Sequence, residues 1–594
     1  MLKVFYTPSP LPLQSPPDSA TFSLGPRRDS YSCQPPLFSP PPPPDGMPPL
    51  AFAMTTLRTA FIAVVIKSLL RGKSLIQAIL AYWVSPLAFG RPVLGRKPSP
   101  RSLHEFLKEA EAALLGPVSG HGLLELAAGL REQFLDRLQT DPQSMLPSYS
   151  HQLPTGAEAG QYVALDVGGS TLRVALVELR GRDGRQGSRS DIVSMRNFRI
   201  GKAVKDLEGM AFFDWMAGRI CDTLSDGLSR EHGPDKPLPL ALAWSFPLEQ
   251  TSLGGGRLQR MGKGFLADRG LLGEDLGRIV KRACHHCGLS VELRAILNDS
   301  SACLLSRAYS YTSTRFSLIL GTGLNMAAFL PVAGIGRPKF GLRPDGWFDE
   351  ATHVIVNTEL GMFGQGILPM TRWDRALNRE HPRPDYQPLE FLVSGMYLGE
   401  IVRLAVLEAV GTTGMLGGVV PPSLLMPYSL GTDTLALIES DDTSELTEAI
   451  HLFSQRHPSS HVPTTADLLA IKAIASFVSV RSSALVATCV FTLWNCRLEA
   501  ERTYISTLPE SSPERCRAEA DLALETTTVA FNGSVIENYP GYLGNCQRFV
   551  NDLVVSKGLA EPPRSIHLVP AKESSLMGAA VALACVERHD ETVQ

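Results

Sequence analysis

Between Tyr162 and Leu179 the chain runs apolar ("YVALDV"), breaks at "GGST" and turns apolar again ("LRVALVEL"). Short apolar runs bounded by turn residues predict a buried strand over 162–167, a tight turn at Gly168-Gly169 and a returning strand over 172–179. "DIVSMRNFRI" predicts a third strand, "MAFFDWMAGRICDTLSDGL" a helix, and "PLALAWSFP" a further strand ending at Ser245-Phe246-Pro247. The frame returns at 315–332. There "RFSLILGTGLNMAAFLPV" reads strand, glycine turn at Gly321-Thr322-Gly323, strand, with "THVIVNTELG" after it. Ahead of both units, "SLHEFLKEAEAALLGPV" and "GLLELAAGLREQFLDRLQTD" have the 3.6-residue spacing of amphipathic helices. A strand–glycine turn–strand unit occurring twice predicts a duplicated α/β protein whose two lobes close on one ligand, since pockets favour such interfaces. Glycine lets the backbone approach phosphate oxygens, and successive N–H groups form an anion nest. Neither a G-x-x-x-x-G-K-[ST] loop nor a G-x-G-x-x-G dinucleotide turn is present in a suitable frame.

One strand end carries chemistry. In "AILNDSSACLL" the apolar run Ala295-Ile296-Leu297 stops at Asn298-Asp299, and small residues open a helix. Burying an unpaired carboxylate costs several kcal/mol, about 3 or more. Two readings account for it: a helix N-cap, which Asn and Asp commonly supply, or a base held at a cleft.

Composition narrows the class. A chain of 594 residues holds several domains or one large two-lobed one. With 44% hydrophobic and 19% charged residues and a formal net charge of -3, it lacks the basic excess of a nucleic-acid partner. Ten cysteines in so long a chain fit a reduced intracellular protein rather than a disulfide scaffold. Cys284-His285-His286-Cys287 has C-x-x-C spacing but no second pair in register, so a partly exposed helix end is favoured over zinc.

The N-terminal part differs. Residues 1–50 hold 15 of the 45 prolines and are expected to form no core. From Gly46 to His104 there are eight Lys/Arg and no Asp or Glu. Within it, "TTLRTAFIAVVIKSLLRGKSLIQAILAYWVSPLAF" is split by Lys67, Arg71 and Lys73, leaving no clean transmembrane span. Residues 51–100 are expected to act as a presequence or a peripheral membrane anchor, with surface helix as the alternative.

The motifs together resemble the eukaryotic hexokinases, including their divergent fungal branch. The resemblance runs from about Leu103 to Val586. "LDVGGSTLRV" is similar to the first phosphate motif, "WSFPLEQTSLGGGRLQRMGKGF" to the sugar motif and "LNDSSA" to the strand end with the base. "GTGLN" is similar to the second phosphate motif, "NTELGMFG" and "LEFLVSGMYLGEIVR" to two glutamate motifs, and "FNGSVIENYPGY" to the adenosine motif. The resemblance implies an α/β fold of the two-lobed actin-like ATPase (ribonuclease H-like) type, with duplicated βββαβα units. Helices over 101–155 would belong to the large lobe, 156–303 would form the small lobe, and 304–594 the rest of the large lobe, its last helix returning toward the small one. It implies transfer of the ATP γ-phosphate to the 6-hydroxyl of a hexose, feeding glycolysis, with Mg2+ as cofactor. Asp299 would be the base, with Lys263 and Arg173 the other catalytic residues. Ser245, Phe246, Lys263, Asn298, Asn325, Glu359 and Glu390 would hold the sugar. Asp166 would hold Mg2+ through water. Gly168, Gly169, Ser170, Thr171, Arg173, Gly321 and Thr322 would cradle phosphates, and Gly533 and Ser534 would lie by the adenosine. The chain is expected to be a monomer or dimer, cytoplasmic, and associated with the mitochondrial outer membrane if residues 51–100 anchor it.

Four departures qualify that expectation. Met261-Gly262 precede Lys263 where the family has Trp-Thr, so one sugar hydrogen bond is absent, at a cost of about 0.5–1.5 kcal/mol. Glycine there leaves room for a bulkier sugar such as N-acetylglucosamine, so an N-acetylglucosamine kinase is one alternative. Thr171 replaces Asn, and Ser170 replaces Thr but keeps the hydroxyl. "KESSLMGAAVALA" replaces a glycine-rich run with a lysine, and "RGRDGRQGSRSD" and "GVVPPSLLMPYSLGTDT" are unusual inserts. A catalytically weak, sugar-sensing regulator is the second alternative.

Overall fold

The computed structural model describes residues 101–182, 189–224, 233, 235–558 and 564–593. The proline-rich stretch, the basic segment over 51–100 and part of the first insert lie outside the described residues.

Each glycine-turn unit builds one sheet. In the first, β2 (Ala159–Val167), β3 (Thr171–Arg180) and β4 (Ser190–Arg199) run antiparallel, and β5 (Leu238–Trp244) and β8 (Val291–Leu297) add parallel strands, in the order β4-β3-β2-β5-β8. In the second, β9 (Thr314–Leu320), β10 (Leu324–Pro331) and β11 (His353–Asn357) are antiparallel, and β12 (Thr526–Asn532) and β13 (Ser565–Pro570) are parallel. Their order, β11-β10-β9-β12-β13, is the same topology, extended by the short β1 (Leu146–Pro147) pairing with β11. A minor hairpin, β6 (Leu248–Gln250) with β7 (Gly256–Leu258), leads to the sugar-motif loop.

Helices cover the sheets because the central strands bury residues on both faces, while the edge strand β4 buries none. Of the principal helices, α1 (Leu103–Leu115) and α2 (Gly122–Thr140) pack in the large-lobe core. Helices α3 (Met210–Thr223) and α4 (Leu276–His286) pack on the first sheet. Helix α5 (Asp299–Ala308) follows β8 directly; α6 (Pro388–Val393) and α7 (Gly395–Thr413) carry the second glutamate motif, and α8 (Thr432–Ser440) follows the second insert. The longest helix, α9 (Thr465–Thr507), opens on a capping box of Thr464 and Asp467 and is the spine of the large lobe. It is long and apolar enough to cross a membrane, but 83% of its apolar window is buried inside the fold. Its Arg481, with no exposed surface, is bidentate to Asp374 at 2.6 and 2.8 Å, which satisfies both buried charges. Helix α10 (Ser534–Asn538) and α11 (Tyr542–Ser556) follow β12, and α12 (Ser574–Val593) lies against α5 and the strands β2, β5 and β8. The close approach of α12 to α5 needs Gly578, where a Cβ would lie 1.9 Å from the Ala302 carbonyl oxygen.

Cys284 is buried on α4, Cys287 is that helix's exposed C-cap, and His286 bonds Asp214 at 3.1 Å, so the tetrad straddles a helix end.

Candidate active site

The C-terminal ends of β2, β5, β8, β9 and β11 and the start of β10 bring the predicted residues to one cleft. At the end of β8, Asn298 is the N-cap: its Oδ1 accepts from the Ser300 amide at 2.9 Å and hydroxyl at 2.7 Å. Asp299 is the first helical residue, its Oδ1 accepting from the Ser300 amide at 2.8 Å. The cap reading falls on Asn298, and Asp299 beside it stands as the candidate base. Both side chains accept from the Ser300 amide, and Asn298 alone also takes the Ser300 hydroxyl. Burial pushes the Asp299 carboxyl up, the Asp166 charge adds to this, and Lys263 opposes it.

Facing it is a chain of amides and carboxylates. Asn325 donates to Asn357 Oδ1 at 2.9 Å, and Asn357 donates to Glu359 Oε1 at 2.8 Å. Asn325 Oδ1 accepts from the Met326 amide at 2.8 Å. Glu390 Oε2 accepts from the Leu324 amide at 2.8 Å. Gly323 and Gly361 admit that carboxylate: a Cβ on Gly323 would lie 2.9 Å from Glu390 Oε2, and one on Gly361 3.1 Å from Glu390 Cβ. Burial raises Glu359 and Glu390, and the nearby charges of Asp299 on Glu359 and of Glu359 on Glu390 raise them further. Three acids with raised affinity for protons, interleaved with amides, can donate and accept around a ring of hydroxyls.

Lys263 belongs to the small lobe and is held there. Its Nζ donates to the Ser245 carbonyl at 3.0 Å and lies 5.1 Å from the Phe246 ring centroid. Phe246 is a core residue packed on Trp244 and Phe265, at ring centroid distances of 5.0 and 4.9 Å, so it fixes the lysine rather than facing open solvent. A Cβ on Gly169 would lie 3.3 Å from Lys263 Cδ, so the lysine stem rests on the first glycine turn. That turn closes through Gly168 N–H to the Thr171 carbonyl at 3.0 Å, and the Ser170 carbonyl accepts from Ile200 at 2.8 Å. Neither Gly168 nor Gly169 has a positive φ; closeness of approach is what glycine supplies there.

On the nucleotide-motif side, Asp166 and Arg173 stand opposite each other in the β2–β3 register. Arg173 Nε donates to Asp166 Oδ2 at 2.8 Å, its Nη2 bonds the same oxygen, and its Nη1 donates to Glu573 at 2.5 Å. Burial raises the Asp166 carboxyl, Arg173 holds it down and Glu573 pushes it up. In the second turn, Gly321 N–H reaches the Gly323 carbonyl at 3.1 Å, while the Gly321 and Thr322 carbonyls accept from Gly395 at 2.7 Å and Met396 at 3.2 Å at the start of α7. Gly533, at φ +132°, packs under this turn, where a Cβ would meet the Leu320 carbonyl at 2.3 Å. Thr322 and Ser534 border a cavity of about 630 Å³.

Three features escaped the sequence. Asn357 links Asn325 to Glu359; its signal is its place at the end of β11, two residues before Glu359. Glu573 holds Arg173 from the segment "KESSLMGAAVALA", one of the four departures. Tyr428, Leu430, Gly431 and Thr432, read as part of an unusual insert, form a wall of the cavity. Lys263, Glu359 and Glu573 also share a backbone signature: each has φ near +50°, a left-handed conformation that costs a non-glycine residue about 1–2 kcal/mol and concentrates at functional sites.

The duplicated sheets, the cleft and its polar lining define an α/β protein of the actin-like ATPase fold. Two family models described as hexokinase match residues 115–309 and 315–585, and the chain belongs to the hexokinase family. It is 28% identical over 477 residues to Hexokinase-1 of Nicotiana tabacum, covering 80% of this chain and 88% of that one. It is 32% identical over 335 residues to Hexokinase-7 of Oryza sativa subsp. japonica, covering 56% of this chain and 69% of the relative. The structure of a hexokinase from Schistosoma mansoni complexed with glucose shares the fold, with a TM-score of 0.62 at 24% identity over 82% of this chain and all of that one.

Proposed function

We propose that the chain is an ATP-dependent hexokinase that phosphorylates the 6-hydroxyl of a glucose-type hexose. The observation that carries this is the gathering of Asp299, next to the N-cap Asn298, with Glu359 and the Asn325–Asn357–Glu359 chain, close enough for the Asp299 charge to act on Glu359. The ring hydroxyls are held by Asn298, Asn325, Glu359, Glu390 and Lys263. Asp299 takes the proton of the 6-hydroxyl as that oxygen forms its bond to the γ-phosphorus and the bond to the β-phosphate oxygen breaks, releasing ADP. Lys263 and Arg173 balance the charge on the transferring phosphoryl group, and the two glycine turns direct backbone N–H groups at the phosphates.

Mg2+ fits the donor set. Both bonds that Arg173 makes to Asp166 fall on Oδ2, which leaves Oδ1 for a water ligand of the ion. Bound there, magnesium would neutralise charge on the triphosphate. The cavity beside Thr322 and Ser534 takes the nucleoside.

The second reading is an N-acetylglucosamine kinase, and Gly262 favours it: nothing lies within 4 Å of a Cβ placed there. The third is a sugar-binding regulator with low turnover. A coupled assay of the purified chain with Mg-ATP and a hexose panel separates them. Turnover of glucose or fructose supports the first, turnover of N-acetylglucosamine alone the second, and calorimetric binding of glucose without turnover the third. Residues 51–100 are assigned to peripheral association with the mitochondrial outer membrane on their charge pattern, and a wholly cytosolic full-length chain on fractionation would sink that assignment.

A further inference from the structure

The cavity next to the second glycine turn has two long walls. One is α8 with the loop before it, contributing Gly431, Ala436, Leu437 and Ser440; the other is α10 with the residue that follows it, Tyr539. Among the described residues, a single hydrogen bond joins these walls: the Tyr539 hydroxyl donates to Glu439 Oε1 at 2.5 Å. Tyr539 is 6% exposed, so its ring is part of the cavity floor and its hydroxyl is directed into the protein. The start of α7 is fixed independently, through the Thr322 and Gly321 carbonyls and through Thr432 Oγ1 to the Gly395 carbonyl at 2.7 Å. The Tyr539–Glu439 bond is the hydrogen-bonded link across the gap between α8 and α10, while the start of α8 is anchored on α7 through Thr432.

We propose that Glu439 is a positioning residue for the nucleotide: by holding Tyr539 it sets the width of the cavity that takes the nucleoside, and so the KM for ATP, without touching the reacting atoms. This rests on the reading of the cavity as the nucleoside site. The groups that act on Glu439 come from two directions, the Tyr539 hydroxyl and the Lys472 ammonium of α9, and Ser479 of α9 also bonds the Tyr539 hydroxyl. Burial pushes the Glu439 carboxyl up to about 7, against the pull of Tyr539 and Lys472. As pH falls through that value the carboxylate takes a proton, and a charge-assisted bond becomes a neutral one of roughly half the strength. ATP affinity therefore weakens on the acid side of neutrality.

Steady-state kinetics of the full chain, with Mg-ATP and the hexose it turns over best, test this with four variants. Should turnover prove low, direct titration with a fluorescent ATP analogue reads the same affinities. Ala436→Trp fills the cavity and is expected to raise the ATP KM at least about tenfold. Glu439→Gln and Tyr539→Phe are each expected to raise it about three- to tenfold, the worth of one hydrogen bond, while Glu439→Gln leaves kcat and the hexose KM within about twofold. Glu439→Asp, which keeps the charge, should recover part of the loss. The wild-type ATP KM should rise from about pH 8 to about pH 6, and the Glu439→Gln profile should be flat. If Ala436→Trp leaves the ATP KM unchanged, the nucleoside reading of the cavity falls and the proposal with it. If Ala436→Trp weakens ATP while Glu439→Gln and Tyr539→Phe keep the wild-type KM and pH profile, the cavity reading stands and the proposal is overturned. Should Glu439→Gln fail to fold by thermal melting, Tyr539→Phe reports on the same bond from its other end.

Discussion

The two glycine-turn hairpins share strand order and register but carry different chemistry at the same position. In the first, the second pair from the turn is Asp166 opposite Arg173, a carboxylate and a guanidinium in contact. In the second, the equivalent pair is Ile319 opposite Asn325, an apolar side chain and an amide. One hairpin is thus built around a charge pair suited to a triphosphate and its cation. In the other the pair itself is uncharged, and Asn325 opens the hydrogen-bond chain Asn325–Asn357–Glu359. The two hairpins share a scaffold and differ in the pair beside the turn, a carboxylate with a guanidinium in one and an apolar side chain with an amide in the other.

Asp299, between the two hairpins, should give the largest effect. Asp299→Ala is expected to lower kcat at least about a hundredfold while sugar affinity stays within about tenfold, read by coupled assay and calorimetry. Its raised pKa fixes a sign: the base form is lost as pH falls through a value above the ordinary carboxylate range, so the acidic limb of kcat lies higher than that of a free carboxylate. Near-normal turnover of Asp299→Ala would return the residue to a purely structural role.

The charged hairpin comes next. Arg173→Ala leaves Asp166, 6% exposed, beside Glu573 without its cation. Breaking a fully buried pair costs about 3–5 kcal/mol; with Arg173 partly exposed the loss should be about 2 kcal/mol in urea unfolding, with a fall in kcat. Asp166→Asn on the same background should restore most of the stability but not the activity. Restoration of both would mean that the pair is only structural.

For the neutral hairpin, Asn325→Ala should raise the sugar KM about tenfold and leave the ATP KM unchanged, since it removes a hydrogen-bonding amide. A change in ATP KM instead would erase the distinction between the hairpins. The smallest effect is expected from deleting residues 1–100: kcat and both KM values should stay within about twofold, since every residue named in the site follows that segment. Kinetic loss on deletion would mean that the segment reaches the site.

The fold was legible because its periodicities are local. "YVALDVGGSTLRV" and "RFSLILGTGLN" each contain their own strands and turn, so the duplication could be read before any contact was known. Asp299 was legible as a polar residue at a strand end. What could not be read was its division of labour with Asn298, because both residue types cap helices and only the bonds to Ser300 tell them apart. The insert 418–434 read only as unusual in length or content; folded, it contributes Tyr428, Leu430, Gly431 and Thr432 to one wall of the cavity.

The sequence by itself determined the two-lobed duplicated architecture, the family and the residue types available for proton and phosphate chemistry, since these depend on local pattern and motif order. The tertiary structure decided which charges neutralise one another. Glu573 meets Arg173 across 400 residues, and Glu439 meets Tyr539 across 100. Such pairings depend on distance and burial, which chain separation does not encode.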